Sequence, residues 1–556
     1  MMLDETKLNK YMRLLTFVVC IILTSCKSNF SNNKENKTIL FQSDFVNNSN
    51  ITLLEKWHLE NKKKHKQNEI IVAVLDSQID INHEDLKDQI WVNKKEILGN
   101  KIDEDENGYI DDVNGWNFTG HKSNNFTRYR NFEYSRIVRL KKEYLKLNIK
   151  IPSDTLLFLN EYSLIDNKQK EELVYHKNWL KSIEYAFRIR PKTIDTLKYF
   201  FPKEDYTYEQ LDSLYKKNKI NEKTFKQRRD TNDSDLGALI NSMMIAIQMG
   251  LKEKEQLFES KNQLDSIVNR NLNIDYDDRK FIDDNSYVLE KGYGNNKLNN
   301  NIYQLTHCTE VSSVIGGQRN NVGVNGFHNK IRIMPLCISV SGDEHDKDIA
   351  MAIYYAVDNG AKVINMSFGK EFTLNQEWVT DAFRYAEKHN VLLVHSSGNN
   401  NFNVDKNSYY PSDIDYVRNK DNELVGNFIN VGSISKRTDS TMVSPFSNYG
   451  KENVDIFAPG EEIYVAKPNN EYGYDSGTSL AGPMVSGTAA LIWLYYPKLT
   501  VHQVKNIILE SGISIDKMVV KPGTKDEMVP FSDLCKTGKI LNTYNAMMLA
   551  KKVSKQ

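Results

Sequence analysis

Short runs of β-branched and apolar residues, each closed by a polar residue, alternate along this chain with stretches whose apolar positions recur every three to four residues. The run Ile70-Ile71-Val72-Ala73-Val74-Leu75, ending at Asp76, has the composition of a strand buried on both faces. Residues 331–336, 363–366, 391–394 and 428–431 repeat the pattern, and helical periodicity fills 349–359 and 376–389 between them. Strands alternating with helices predict an α/β fold, a doubly wound parallel sheet whose functional residues gather at the strands' carboxyl ends. Residues 121–295 break the alternation. They are rich in Lys, Glu, Tyr and Leu with helical spacing, as over 140–145 and 240–257, and predict a mostly helical insertion.

Composition narrows the function classes. The chain has 556 residues, with 73 Lys+Arg balanced by 73 Asp+Glu. A net charge of zero gives no global attraction to nucleic acid, so a nucleic-acid partner is not expected. The five cysteines, Cys20, Cys26, Cys308, Cys337 and Cys535, fit neither a zinc site nor a disulfide framework.

Arg13 precedes the apolar run from Leu14 to Leu23, which has the length of a signal-peptide core and is short for a membrane span. It ends in Leu23-Thr24-Ser25-Cys26, which resembles a bacterial lipobox. That resemblance implies lipidation of Cys26 and an extracytoplasmic protein anchored to a bacterial membrane without spanning it. Residues 27–65, rich in Asn, Lys and Ser, read as a tether and N-terminal segment.

Three separated segments carry the candidate chemistry: Leu75-Asp76-Ser77, Thr306-His307-Cys308-Thr309-Glu310, and Ser476-Gly477-Thr478-Ser479-Leu480-Ala481-Gly482-Pro483. A serine hydroxyl is a weak nucleophile unless a base takes its proton, and the base needs an acid to hold its tautomer. Asp76, His307 and Ser479 supply those three roles. The small residues after Ser479 suit a tightly buried helix whose N-terminal N–H groups face a developing oxyanion.

The order Asp, His, Ser, with the serine in Gly-Thr-Ser-x-Ala-x-Pro, resembles the subtilisin-like serine peptidases, the subtilases of peptidase family S8. The resemblance implies that Asn399, in Ser396-Ser397-Gly398-Asn399, donates its amide to the oxyanion hole. It also implies that Ser367, Phe368 and Gly369 pair with an extended polypeptide substrate. A discontinuous catalytic domain over 66–120 and 296–548 follows, with 1–26 as signal peptide and 549–556 as a tail. The expected function is a serine endopeptidase acting on extracytoplasmic proteins, with no cofactor for catalysis. A degenerate relative that binds peptides without cleaving them is the second reading.

The sequence departs from the family pattern at Gln78, Cys308 and Glu310, the last two on the helix that aims His307. A free Cys beside the histidine reads as a small buried hydrophobe, and His83 as structural. The stretch between Cys26 and Asp76 is short for the folded prodomain that many subtilases carry, which points to limited self-processing. Residues 103–112 resemble an EF-hand calcium loop, with Asp103, Asp105, Asn107, the Tyr109 carbonyl and Asp111 as candidate ligands. Position twelve is Asn114 instead of Glu, which weakens that site.

Overall fold

The computed structural model describes residues 54–61, 69–121, 123, 126–147, 153–218, 221–320, 322–416 and 419–556. The signal-peptide and lipobox readings, Cys26 included, lie outside the described residues. Among the described residues, no helix is long and apolar enough to cross a membrane. Tyr134–Tyr276 forms one compact unit, and the described stretches up to Glu133 and from Asp277 to Gln556 form the other.

The second unit is built on nine strands: β1 (Ile70–Asp76), β2 (Trp116–Asn117), β3 (Ile331–Cys337), β4 (Val363–Met366), β5 (Leu392–Ser396), β6 (Phe428–Ile434), β7 (Ile456–Pro459), β8 (Ile513–Ser514) and β9 (Lys539–Ile540). Their order across the sheet is β8-β9-β7-β6-β5-β4-β1-β3-β2. Neighbours pair parallel except β8 with β9. The expected doubly wound sheet is therefore present. Its order reverses around β1, which pairs with β3 on one edge and β4 on the other. Asp76, the last residue of β1, thus sits at the switch point, where such sheets open a crevice.

Alternate strand residues enter two separate cores. Val72, Val74, Ile331, Ile333, Leu392 and Val394 pack on one face, with α1 (Thr306–Gly316) and α4 (Thr478–Tyr495). Ala73, Leu75, Met334, Leu336 and Leu393 pack on the other, with α2 (Asp346–Asp358) and α3 (Gln376–Lys388). Burial on both faces is why these strands read as continuous apolar runs. Helix α4 is buried from Leu480 to Leu494, and its small residues permit close contacts. A methyl group on Gly487 would lie 2.1 Å from the Phe327 ring.

The other unit is helical and, among its described residues, holds no strand. Its longest helix, Ser153–Phe200, runs alongside Leu236–Gln248 and Lys254–Ser266. The periodicity over 240–257 does not make one helix. Gly250, with φ +67°, ends it after Gln248, because a left-handed residue cannot continue a right-handed helix.

The segments flanking that unit belong to the sheet unit and meet in a buried ionic cluster. Asp348 of α2 accepts hydrogen bonds on Oδ2 from Arg130 Nη2 (2.7 Å) and Arg279 Nη2 (2.6 Å), and on Oδ1 from the Tyr293 hydroxyl (2.7 Å). Asp284 bridges Arg279 Nη1 at 2.9 Å and Lys347 Nζ at 2.6 Å. His345 Nε2 lies 3.0 Å from Asp278 Oδ2. Burial pushes the Asp348 carboxyl up, but Arg279 and Arg130 outweigh it and hold it at about 2. This contribution to stability is present above the ordinary carboxylate value and is lost as pH falls toward 2. Replacing Asp348 by Ala removes the carboxylate that two buried guanidinium groups share and should cost about 3–5 kcal/mol, read as a lower urea midpoint.

Candidate active site

Asp76 is 2% exposed at the carboxyl end of β1. Its Oδ1 accepts the Ser77 N–H at 2.6 Å, while its backbone carbonyl takes the N–H groups of Ile338 and Ser339. The carboxylate is thereby fixed before it meets its partner. His307, the second residue of α1, brings Nδ1 to 2.8 Å from Asp76 Oδ1 and 2.9 Å from Oδ2. That contact favours the tautomer with the proton on Nδ1, which leaves Nε2 as the basic nitrogen.

Ser479 lies in the first turn of α4. Pro483, four residues on, has no N–H to give the Ser479 carbonyl, and Ser367 Oγ donates to that carbonyl at 2.9 Å instead. In return, Ser479 Oγ donates to the Ser367 carbonyl at 3.3 Å. Ser367 is oriented from behind by the Asn365 amide at 2.9 Å, and Asn365 by Ser486 Oγ at 2.8 Å. The start of the helix is thus laced to the end of β4.

Asn399 follows β5 and is oriented by its carbonyl oxygen. Asn399 Oδ1 accepts from Thr478 N at 2.9 Å and Thr478 Oγ1 at 2.8 Å, which leaves the Nδ2 hydrogens for another acceptor. A methyl group on Gly477 would stand 3.5 Å from Asn399 Nδ2, 3.6 Å from Ser479 N and 3.8 Å from Ser479 Cβ. Gly477 therefore keeps open a space on which two neutral donors and the serine side chain converge, the arrangement that stabilises an oxyanion.

The sequence profile described as "Subtilase family" matches residues 67–532. The chain belongs to the subtilase family. It is similar to the cell wall-associated protease of Bacillus subtilis, 32% identical over 237 residues, 42% of this chain and 24% of that protein. Subtilisin DY of Bacillus licheniformis is 28% identical over 268 residues, 48% of this chain and 88% of its own. Among solved structures, the prenylagaramide maturation protease PagA matches with a TM-score of 0.35 and 30% identity, over 44% of this chain and 82% of that one. The first of these matches spans about a quarter of its relative's length.

The residues that set this subtilase apart from the family pattern surround His307. Gln78 donates from Nε2 to Asn300 Oδ1 at 2.8 Å and accepts the Asn301 N–H at 2.8 Å, pinning the segment that leads into α1. Cys308 is wholly buried among the apolar side chains under β1, and burial, then the nearby Asp76 charge, push its thiol well up, so it stays a protonated packing group. Glu310, one turn after His307 and nearly buried, pairs with Lys467 Nζ at 3.2 Å, and the same ammonium lies 3.7 Å from Asp475. Burial and the Asp475 charge push Glu310 up to about 7 against the pull of Lys467 and His307. His83 makes structural contacts, accepting the Asp85 N–H and meeting the Tyr472 ring edge-on.

The calcium-loop residues take different partners, and the Asp103 carboxylate accepts the N–H groups of Asn107 and Gly108. Asp103 and Asp105 come together with Glu96, with one oxygen of each within 4.8 Å of the others. Asp105 Oδ1 is buried without a hydrogen-bond partner, as an oxygen meant for a cation would be, although the exposed Lys95 reaches Oδ2 at 3.6 Å. Asp111 instead accepts from the N–H groups of Gly99 and Lys101, and the Asn107 amide donates to Asp112. Tyr109 buries its ring among Trp116, Phe118 and Tyr355. Sequence reasoning missed Glu96 because it stands before the loop, outside the spacing that defines the motif.

Burial pulls His307 down, but Asp76, with smaller help from Glu310 and Asp475, outweighs it and raises its pKa to about 9. The stability linked to this imidazolium is present below about 6.5 and lost as pH rises through about 9. Glu310 is ionised at that pH, so Glu310→Gln removes a charge that favours the imidazolium. The His307 titration followed by its ring-proton NMR signal should then move below about 9, and Asp76→Asn should move it further.

Proposed function

We propose that this subtilase is a serine endopeptidase that hydrolyses polypeptides outside the cytoplasm, with Asp76, His307 and Ser479 as its catalytic triad. Two observations carry the reading: His307 Nδ1 pairs with both oxygens of Asp76, and the Ser479 N–H shares an open space with Asn399 Nδ2. Once His307 Nε2 is unprotonated, Ser479 Oγ attacks the peptide carbonyl as that nitrogen takes its proton. The carbonyl oxygen gains negative charge between Ser479 N and Asn399 Nδ2, which bind it more strongly than the ground state. His307 then protonates the departing amine, leaving an acyl group on Ser479. Water, deprotonated by the same nitrogen, releases the acid. Asp76 holds the imidazole in place throughout. Ser367, Phe368 and Gly369 are proposed to pair with the substrate backbone.

The apolar run ending at Cys26 supports attachment through a lipid to a bacterial cell envelope, and the helical unit is read as an insertion between Asp76 and His307. Glu96, Asp103 and Asp105 are proposed to hold a structural calcium ion, with no part in the chemistry; the buried, unpartnered Asp105 oxygen supports this.

A fluorophosphonate probe should label the protein, and Ser479→Ala and His307→Ala should abolish labelling; an unlabelled, folded wild type would overturn the reading. In peptide hydrolysis, kcat/KM should fall by about 10,000-fold or more in the Ser479 and His307 variants and by about 100- to 1,000-fold in Asn399→Ala. Millimolar calcium should raise the thermal midpoint of the wild type, an effect that Glu96→Gln and Asp105→Asn remove. An identical midpoint with calcium and with chelator would exclude the ion.

A further inference from the structure

The ends of β4 and β5 run side by side past Ser479, and each carries a glycine there, Gly369 and Gly398. Two strand ends without side chains would normally leave a slot between them. Here one aromatic ring fills it. A methyl group on Gly369 would lie 2.3 Å from Tyr409 Cε1 and 2.7 Å from its hydroxyl, and one on Gly398 would lie 2.5 Å from Tyr409 Cζ. Gly369 could carry no side chain unless the ring left, and one on Gly398 would meet both the ring and Asn448 Nδ2, the latter at 2.4 Å.

The ring is held in place by its neighbours. Tyr410 and Lys370 exchange backbone hydrogen bonds at 2.8 and 2.7 Å, and Ser408 Oγ donates to the Glu371 carbonyl at 2.9 Å. Tyr409 is therefore flanked on both sides by bonds to the strand that continues from Gly369. Its ring packs on the apolar cluster of Val404, Tyr449 and Phe457, and part of the residue remains reachable from outside. Burial, then the carboxylates Glu344, Asp343 and Glu371, keep its phenol protonated.

We infer that Tyr409 closes the slot that would receive the substrate side chain preceding the scissile bond, so that this subtilase cleaves after Gly, Ala and Ser. The inference rests on the endopeptidase reading. The scissile carbonyl has its oxygen between Asn399 Nδ2 and Ser479 N, and its backbone runs along Ser367 to Gly369. The side chain on that carbonyl's residue then points between Gly369 and Gly398, into the Tyr409 ring. A methyl group fits over a ring face, whereas Leu or Phe needs the volume the ring occupies.

The test uses the full chain and a series of peptidyl phosphonates identical except for Gly, Ala, Leu, Phe or Lys at the residue bearing phosphorus. A simple fluorophosphonate reports Ser479 independently of any side chain. The wild type should react with the Gly and Ala compounds about 10- to 100-fold faster than with the Leu, Phe and Lys compounds. Tyr409→Ala should gain reactivity toward Phe while labelling normally with the fluorophosphonate, and Tyr409→Phe should keep the wild-type order. If the wild type labels with the fluorophosphonate but prefers Leu, Phe or Lys, the closed slot is wrong and the endopeptidase stands. The closed slot is equally wrong if Tyr409→Ala labels normally and its preference does not move. If the wild type does not label at all, the endopeptidase reading fails and takes this inference with it. Should Tyr409→Ala not fold, the wild-type series alone decides.

Discussion

The structure depends on the burial of a helix around its whole circumference, beginning at the residue that must remain reachable. Helix α4 passes beneath β4, β5, β6 and β7 with almost every residue from Leu480 to Leu494 hidden. Each large apolar side chain so buried contributes on the order of 1.5–3 kcal/mol, which fixes the helix against sliding or tilting. Ser479 at its start inherits that rigidity. Pro483 adds a constraint of another kind, since the carbonyl it leaves without an N–H binds Ser367, and Ser367 belongs to the strand proposed to carry the substrate. Ser479, the proposed nucleophile, and the proposed substrate platform are therefore positioned by one shared serine.

Around that fixed point the charges are graded. Asp76 is held by backbone N–H groups and faces His307 directly, while Glu310 and Asp475 stand further off and share Lys467. A single strong partner orients the imidazole, and the weaker pair adjusts how readily it holds a proton. Where the family pattern has histidine this chain has Glu310, which with Asp475 supplies this second tier of charge.

Much of this was legible in the sequence. The strands announced themselves as β-branched runs because both sheet faces are covered, and Asp76, His307, Asn399 and Ser479 lie in local motifs. What could not be read depends on contacts between distant segments. Gln78 gains its meaning from Asn300 and Asn301, more than two hundred residues away. Glu96 joins Asp103 and Asp105 only through the turn of the loop. Tyr409 sits in no motif, and its effect comes from two glycines on different strands. Residues 121–133 and 277–295 read as part of a helical insertion, yet their Arg130, Arg279 and Tyr293 pack with α2, because charge pairing over such separations leaves no periodic trace.

That ionic cluster also bears on the order in which the chain can fold. During synthesis from the N-terminus, Arg130 emerges 218 residues before Asp348, its buried counter-ion. Until then a guanidinium destined for the interior has to stay in water, and β1 lacks β4, its neighbour on one edge. The helical unit, whose contacts are local, can be complete by that time, whereas the sheet must wait for its later strands. A ribosome stalled shortly before α2 would therefore hold a folded helical unit on an unfinished sheet, and aggregation of such a nascent chain would begin from the edge of β1 that β4 has yet to cover.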